Sequence, residues 1–172
     1  MNERVSLRDF QARLAERLSN VASQPGQASR LGFVAAGRQW LVDLDQVSAL
    51  TGVARITPVP WARPWFMGVV SVRGVLYGCT DLSAFMTGAP PKPFAGELRV
   101  LLAHPRFGVN AALRIERALG LRSASGMHAL PLQLDSPAWL RGRWEDSDGQ
   151  TWNELDVNGL VNAPVFLRAG LD

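Results

Sequence analysis

The sequence predicts a mainly β fold made of small barrels, and three observations predict it. From residue 30 onward, short apolar runs recur between tight-turn signals. Helical periodicity is confined to one long N-terminal stretch and a few single turns. The regular strand–helix–strand alternation that builds a parallel sheet does not occur, which leaves closed or nearly closed antiparallel architectures.

The N-terminal stretch, residues 6–22, reads as an amphipathic helix. Ser6 and Asp9 have the spacing of a capping box, with Asp as a shorter substitute for the usual Glu. Leu7, Phe10, Leu14, Leu18 and Val21 recur at spacings of three and four and form one apolar stripe. Such a stripe buries itself against its own domain or against a partner. Residues 23–27 contain Pro25-Gly26 and break the helix. Residues 1–29 are therefore expected to be a helix and linker, and 30–172 the main domain.

Within that domain, residues 30–36 and 38–44 flank the hairpin signal Ala36-Gly37. Residues 45–50 fit a short helix with Asp45 as N-cap, Val47 and Leu50 facing inward, and Gly52 ending it. Residues 56–64 hold three prolines and must be an extended loop; Trp61 lies within it and Trp65 directly after it. Being tied to that loop, these two tryptophans are the least suited to a purely core role. Residues 68–73 and 75–80 form a strand pair broken at Gly74. Asp81 caps a brief helix, 82–86, that stops before Gly88, and residues 89–93 are a proline-rich connection.

The second half repeats this style. Residues 98–103 and 107–115 flank the turn His104-Pro105-Arg106, while 117–121 and 130–134 are weaker strand candidates. Residues 139–145 and 150–156 flank Asp146-Ser147-Asp148-Gly149, where Asp-Gly is a strong hairpin signal. A last helical turn over 158–161 is limited by Pro164.

Composition narrows the function. With 47% hydrophobic and 19% charged residues the chain has a globular balance. The isoelectric point of about 10.0 is no nucleic-acid footprint. All the basic residues but Lys92 are arginines, which do not titrate below about pH 12, so few groups remain to neutralise a net charge of only +3. The arginines are also scattered singly, without the run that follows a phosphate backbone. No apolar run is long enough for a membrane span, and the N-terminus lacks the apolar core of a signal peptide, so a cytoplasmic protein is expected.

Catalytic constellations are equally absent from the pattern, and no catalytic, cofactor-binding or metal-binding residue is expected. The lone Cys79 sits mid-strand as a small hydrophobe, and His104 and His128 lie in unrelated segments. Neither a phosphate-cradling glycine loop nor a nucleophile elbow is present. Asp146 and Asp148 superficially suggest a calcium loop but lack its later oxygen ligands, which leaves a hairpin tip. An oligonucleotide-binding barrel is the alternative class, although aromatics interleaved with basic residues on one face do not occur at strand spacing.

Residues 57–60 and then Pro64-Trp65-Phe66-Met67-Gly68-Val69-Val70-Ser71-Val72-Arg73-Gly74-Val75-Leu76 resemble the CheW-like adaptor family, with Asp81-Leu82 in the expected place. Phe107-Gly108-Val109 and Ile115-Glu116-Arg117-Ala118-Leu119-Gly120 extend the likeness, which spans about residues 30–163. Ser71-Val72 stand where the family has Asn-Leu, Glu116 replaces Asp, and Ala49 stands where an acid is common. These departures resemble the PilI branch, which serves type IV pilus twitching motility.

The resemblance implies two interlocked five-stranded SH3-like barrels with an apolar interface, and no catalysis. It implies an adaptor that joins the signalling tip of a methyl-accepting receptor to the regulatory domain of a CheA-type histidine kinase, recruited to membrane receptor arrays without inserting into the membrane. The expected partner-binding residues are Val47, Leu50, Val72, Arg73, Gly74, Trp61 and Trp65. For Arg73 two roles stand side by side: a bidentate hold on a partner carboxylate, or an ion pair within its own domain with Asp81.

Overall fold

The structure is a computed structural model that describes residues 29–94 and 96–171. The expected helix over 6–22 lies outside the described residues. Among the described residues, eleven strands form two mixed sheets, and the order in which the chain visits them interlocks the two. Strands β1 (Ser29–Ala35) and β2 (Arg38–Asp43) begin the first sheet. The chain then leaves to build the whole second sheet from β3 (Val47–Val53), β4 (Phe66–Val72), β5 (Val75–Asp81), β6 (Leu98–Ala103) and β7 (Ala111–Ile115). It returns to complete the first with β8 (Arg117–Ser123), β9 (His128–Leu130), β10 (Leu140–Glu145) and β11 (Thr151–Leu155). The strand orders are β8-β1-β2-β11-β10-β9 and β3-β6-β7-β5-β4. One sheet thus has the five strands implied by the resemblance. The other gains a sixth, the short β9, which pairs with β10 at Arg143↔Leu130, Trp144↔Ala129 and Glu145↔His128.

The turns explain why the chain folds back where it does. Ala36 and Gly37 join β1 to β2 with φ of 53° and 66°, and Arg73 and Gly74 join β4 to β5 with φ of 51° and 82°. Two central residues in the left-handed region define the type I′ turn, whose twist matches that of the flanking strands. Helix α1 (Leu82–Thr87) starts where the Asp81 carboxylate accepts the Ala84 N–H at 2.8 Å, and ends at Gly88 with φ 71°. Two short helices close the chain, α2 (Val157–Val161) and α3 (Pro164–Leu167). Pro164 ends the first of them as expected, yet also opens the second from the position where a missing N–H costs nothing.

The expected helix over 45–50 does not form. A single 3-10 turn, Leu44–Gln46, is followed directly by β3. The candidate strand over 130–134 is likewise replaced by β9, which ends where Pro131 removes a ladder donor.

The five-stranded sheet is buried on both faces. Alternate residues of β6 and β7 point opposite ways: Leu101, Ala103, Ala111, Leu113 and Ile115 join the large core between the sheets. Val100, Leu102 and Ala112 join a smaller core with Val53, Val70, Tyr77 and Cys79. The large core also takes Leu31, Phe33 and Ala35 from β1, Trp40 and Val42 from β2, and Leu155, Val157, Leu160, Val161 and Phe166 from the C-terminal end. It is the apolar interface that ties the halves together. Burial pushes the Cys79 thiol up to about 12, so at neutral pH it is an inert packing group.

At the β10–β11 tip the Asp146 carboxylate is fully used. It accepts the Trp152 indole N–H at 2.8 Å and the Gln150 and Asp148 backbone N–H groups at 2.9 and 3.0 Å. These bonds, the indole's foremost, hold its carboxyl below the usual carboxylate range. No described helix is long and apolar enough to cross a membrane.

Candidate functional site

Two surfaces gather most of the sequence-predicted residues. The first is an apolar groove of about 680 Å³ between the sheets. Its walls are the edge strands β3 and β8, one from each sheet, with Leu31 of β1 and Leu44 at its floor. Val47 and Leu50 line it with Ala49, Ala118, Gly120 and Leu121, and Arg99, Arg117 and Glu116 stand at its rim. Val47 and Leu50 pack partly on the large core and keep part of their surface in the groove. Their common orientation comes from a bulge between Val47 and Ala49. An extra residue shifts the period of two, so that residues three apart share a face.

The second surface is the β4–β5 hairpin tip. Val72 is half-buried, Arg73 and Gly74 are exposed, and the adjoining Val75 and Leu76 are exposed apolar residues. The proposed pair of Arg73 with Asp81 does not form. Asp81 is buried, caps α1, and is bridged by Arg114 at 2.6 Å, whereas Arg73 enters none of the ion pairs among the described residues. Its guanidinium stands on an exposed turn. Positive φ in a residue that is neither glycine nor asparagine costs on the order of 1 kcal/mol or more, a cost Arg73 shares with Ala36 of the first hairpin.

The two tryptophans separate. Trp61 is 81% exposed with φ 57°, its loop held by the Leu171 N–H donating to the Trp61 carbonyl at 2.7 Å. Trp65 is buried at 9% and belongs to the core, against the expectation from its loop. It packs edge-on to Phe85 at 5.1 Å and stacked on Phe166 at 5.9 Å. The aromatic that covers it comes from the far end of the chain, which no local pattern around residue 65 reveals. Sequence reasoning also missed Leu121 and Ala118, since only an edge position gives them meaning, and Leu76, whose exposure breaks the strand alternation.

The groove between the edge strands presents apolar side chains, and the hairpin carries an exposed guanidinium beside the exposed aliphatics Val75 and Leu76. Among the described residues the large exposed aromatics are Trp61 and Phe94, too few for a ladder of stacked bases.

Residues 30–165 match the family model described as a CheW-like domain. The chain is 30% identical over 94 residues to Protein PilI of Pseudomonas aeruginosa, covering 55% of this chain and 52% of that protein, so it spans about half the length of this curated relative. Its fold is similar to the crystal structure of scaffolding protein TtCheW from Thermoanaerobacter tengcongensis, with a TM-score of 0.66 at 15% identity, covering 81% of this chain and 95% of that one.

Proposed function

Because the chain belongs to the CheW-like domain family, we propose that it is a non-catalytic adaptor that couples a methyl-accepting receptor to a CheA-type histidine kinase. The output of that system is control of type IV pili, a reading supported by the half-length likeness to PilI. The adaptor works in the cytoplasm, at arrays of membrane receptors. The observation that carries the proposal is the groove between β3 and β8, lined by Val47 and Leu50. It is sized and apolar enough to take the side chains along one face of a receptor helix. The hairpin tip, with Val72, Arg73 and Gly74, serves the second partner, and the exposed Trp61 adds an aromatic anchor.

Isothermal titration of the full chain tests this. Binding to a receptor signalling tip and to the kinase regulatory domain is expected at about micromolar Kd, about −8 kcal/mol. No heat and no co-elution with either would overturn the proposal.

Val47→Lys places a charge in the groove and is expected to weaken receptor-tip binding at least about tenfold, or 1.4 kcal/mol, while the melting temperature holds. A large fall in melting temperature would instead mark Val47 as core.

Arg73→Asn separates cation from turn. Asparagine suits the left-handed position better than arginine does, so thermal stability is expected to hold or rise. Ternary assembly with receptor and kinase is expected to weaken about tenfold. Arg73→Lys should recover only part of that loss, since an ammonium lacks the planar fork. Unchanged assembly by Arg73→Asn would remove the guanidinium from the interface.

A further inference from the structure

The chain carries its own candidate occupant for the groove. Residues 6–22 present Leu7, Phe10, Leu14, Leu18 and Val21 as one apolar stripe by sequence periodicity, with Asp9 and Glu16 on the opposite side. We propose that this N-terminal segment lays its stripe into the groove between β3 and β8 of its own chain, where it competes with an incoming helix.

Two observations support this occupant. The chain enters the described fold beside one end of the groove. In the β1–β8 ladder Ser29 stands opposite Ser123 and Arg30 opposite Arg122, followed by Leu31 opposite Leu121, and these last two line the groove. The linker over 23–29 reaches at most roughly 23–25 Å and contains Pro25-Gly26, a turn signal that lets the segment reverse onto the groove. A helix over 6–22 is about 25 Å long, so its stripe can follow the neighbouring strands without straining the linker.

A tether this short gives an effective concentration on the order of millimolar. An intramolecular contact of modest strength then keeps much of the groove filled, and an external helix binds with its affinity reduced by the open fraction. The regulatory half of the proposal rests on the reading of the groove as the receptor site; the docking half does not.

The test uses the full chain carrying Leu14→Cys and Leu50→Cys, oxidised gently at low micromolar concentration. A disulfide forms only if the two Cα atoms come within about 7 Å, and the native Cys79 is buried and stays out of the reaction. A link within one chain, at least fivefold more abundant than in a control pair of Glu16→Cys with Leu50→Cys, is the expected result. Equal linking from both helix faces, or linked dimers alone, which would mean that a second copy fills the groove, overturns the proposal. The second arm adds the signalling-tip helical hairpin of a methyl-accepting receptor from the same organism. It is expected to suppress the link, and to bind a full chain carrying Leu14→Asp at least fivefold more tightly than the unaltered chain. A link that forms normally while the hairpin binds neither chain sustains the docking and overturns the receptor reading. Binding at equal affinity to both chains overturns the competition.

Discussion

Replacing Arg114 with alanine is expected to lower the unfolding free energy by about 3–5 kcal/mol, the range found when one member of a buried ion pair is removed. Arg114 on β7 reaches Asp81 at 2.6 Å, with side-chain exposures of 13% and 5%. The same guanidinium donates to the Lys92 carbonyl at 2.9 Å and lies 5.3 Å from the centre of the Phe94 ring. Truncation therefore leaves a nearly buried carboxylate without its cationic partner, and also frees the proline-rich connection between α1 and β6. A urea titration of the variant against the parent measures the loss. The double variant Asp81→Asn with Arg114→Met is expected to recover much of it, because asparagine retains the cap on Ala84 and no charge is left stranded. A cost below about 1 kcal/mol for Arg114→Ala would mean that water solvates the pair in the folded protein and that the bridge adds little.

Gly68→Ala is expected to be of similar weight. Gly68 has φ 129°, a conformation that side chains rarely adopt, and a Cβ there would overlap the Thr57 carbonyl oxygen. That carbonyl accepts the Val69 N–H at 2.8 Å, and Thr57 N–H donates to the Val69 carbonyl at the same distance. The edge of β4 is thus closed by the segment before it, at a backbone approach that only glycine permits. Strain and overpacking each cost about 1–3 kcal/mol, so a loss on the order of 3 kcal/mol is expected. Gly68 also faces Cys79 across the β4–β5 ladder. Local opening in the variant should therefore show as faster labelling of the Cys79 thiol by a soluble disulfide reagent at pH 8. A parental labelling rate with parental stability would mean that β4 shifts outward without cost.

Much of this fold is legible in the sequence where structure is local. Ala36-Gly37, Gly74 and Asp146–Gly149 mark hairpins because their turn chemistry acts over two to four residues. The failure at 45–50 has a definite physical origin. Asp45 resembles a cap, and the bulge after Val47 puts Val47 and Leu50 on one face at a spacing that a helix shares. The two groove residues were thus identified correctly as neighbours, but on the wrong element. Trp65 departs from the expectation for a non-local reason, since its cover is Phe166. The Arg73–Asp81 pair does not form because β5 carries Asp81 to the end of the hairpin opposite the Arg73 turn, where Arg114 of the parallel neighbour β7 meets it. What the sequence showed of the site was its residue types; the groove itself exists only through the meeting of two sheet edges.

The insertion of one complete sheet inside the other also dictates an order of events during synthesis. As the polypeptide leaves the ribosome, every strand of the five-stranded sheet becomes available in one uninterrupted stretch, β3 to β7. The β1–β2 hairpin emerges earlier, but its partners β8 and β11 are made only after the whole of β3 to β7: Trp152 pairs with Gln39, and Leu121 with Leu31. A two-stranded ribbon is marginal alone, and its free edges are a hazard for intermolecular pairing until those partners appear. The nascent chain must therefore hold a ready-made sheet and an orphaned hairpin together until β11 is released, and a stalled or truncated chain ending before residue 151 is expected to aggregate through β2.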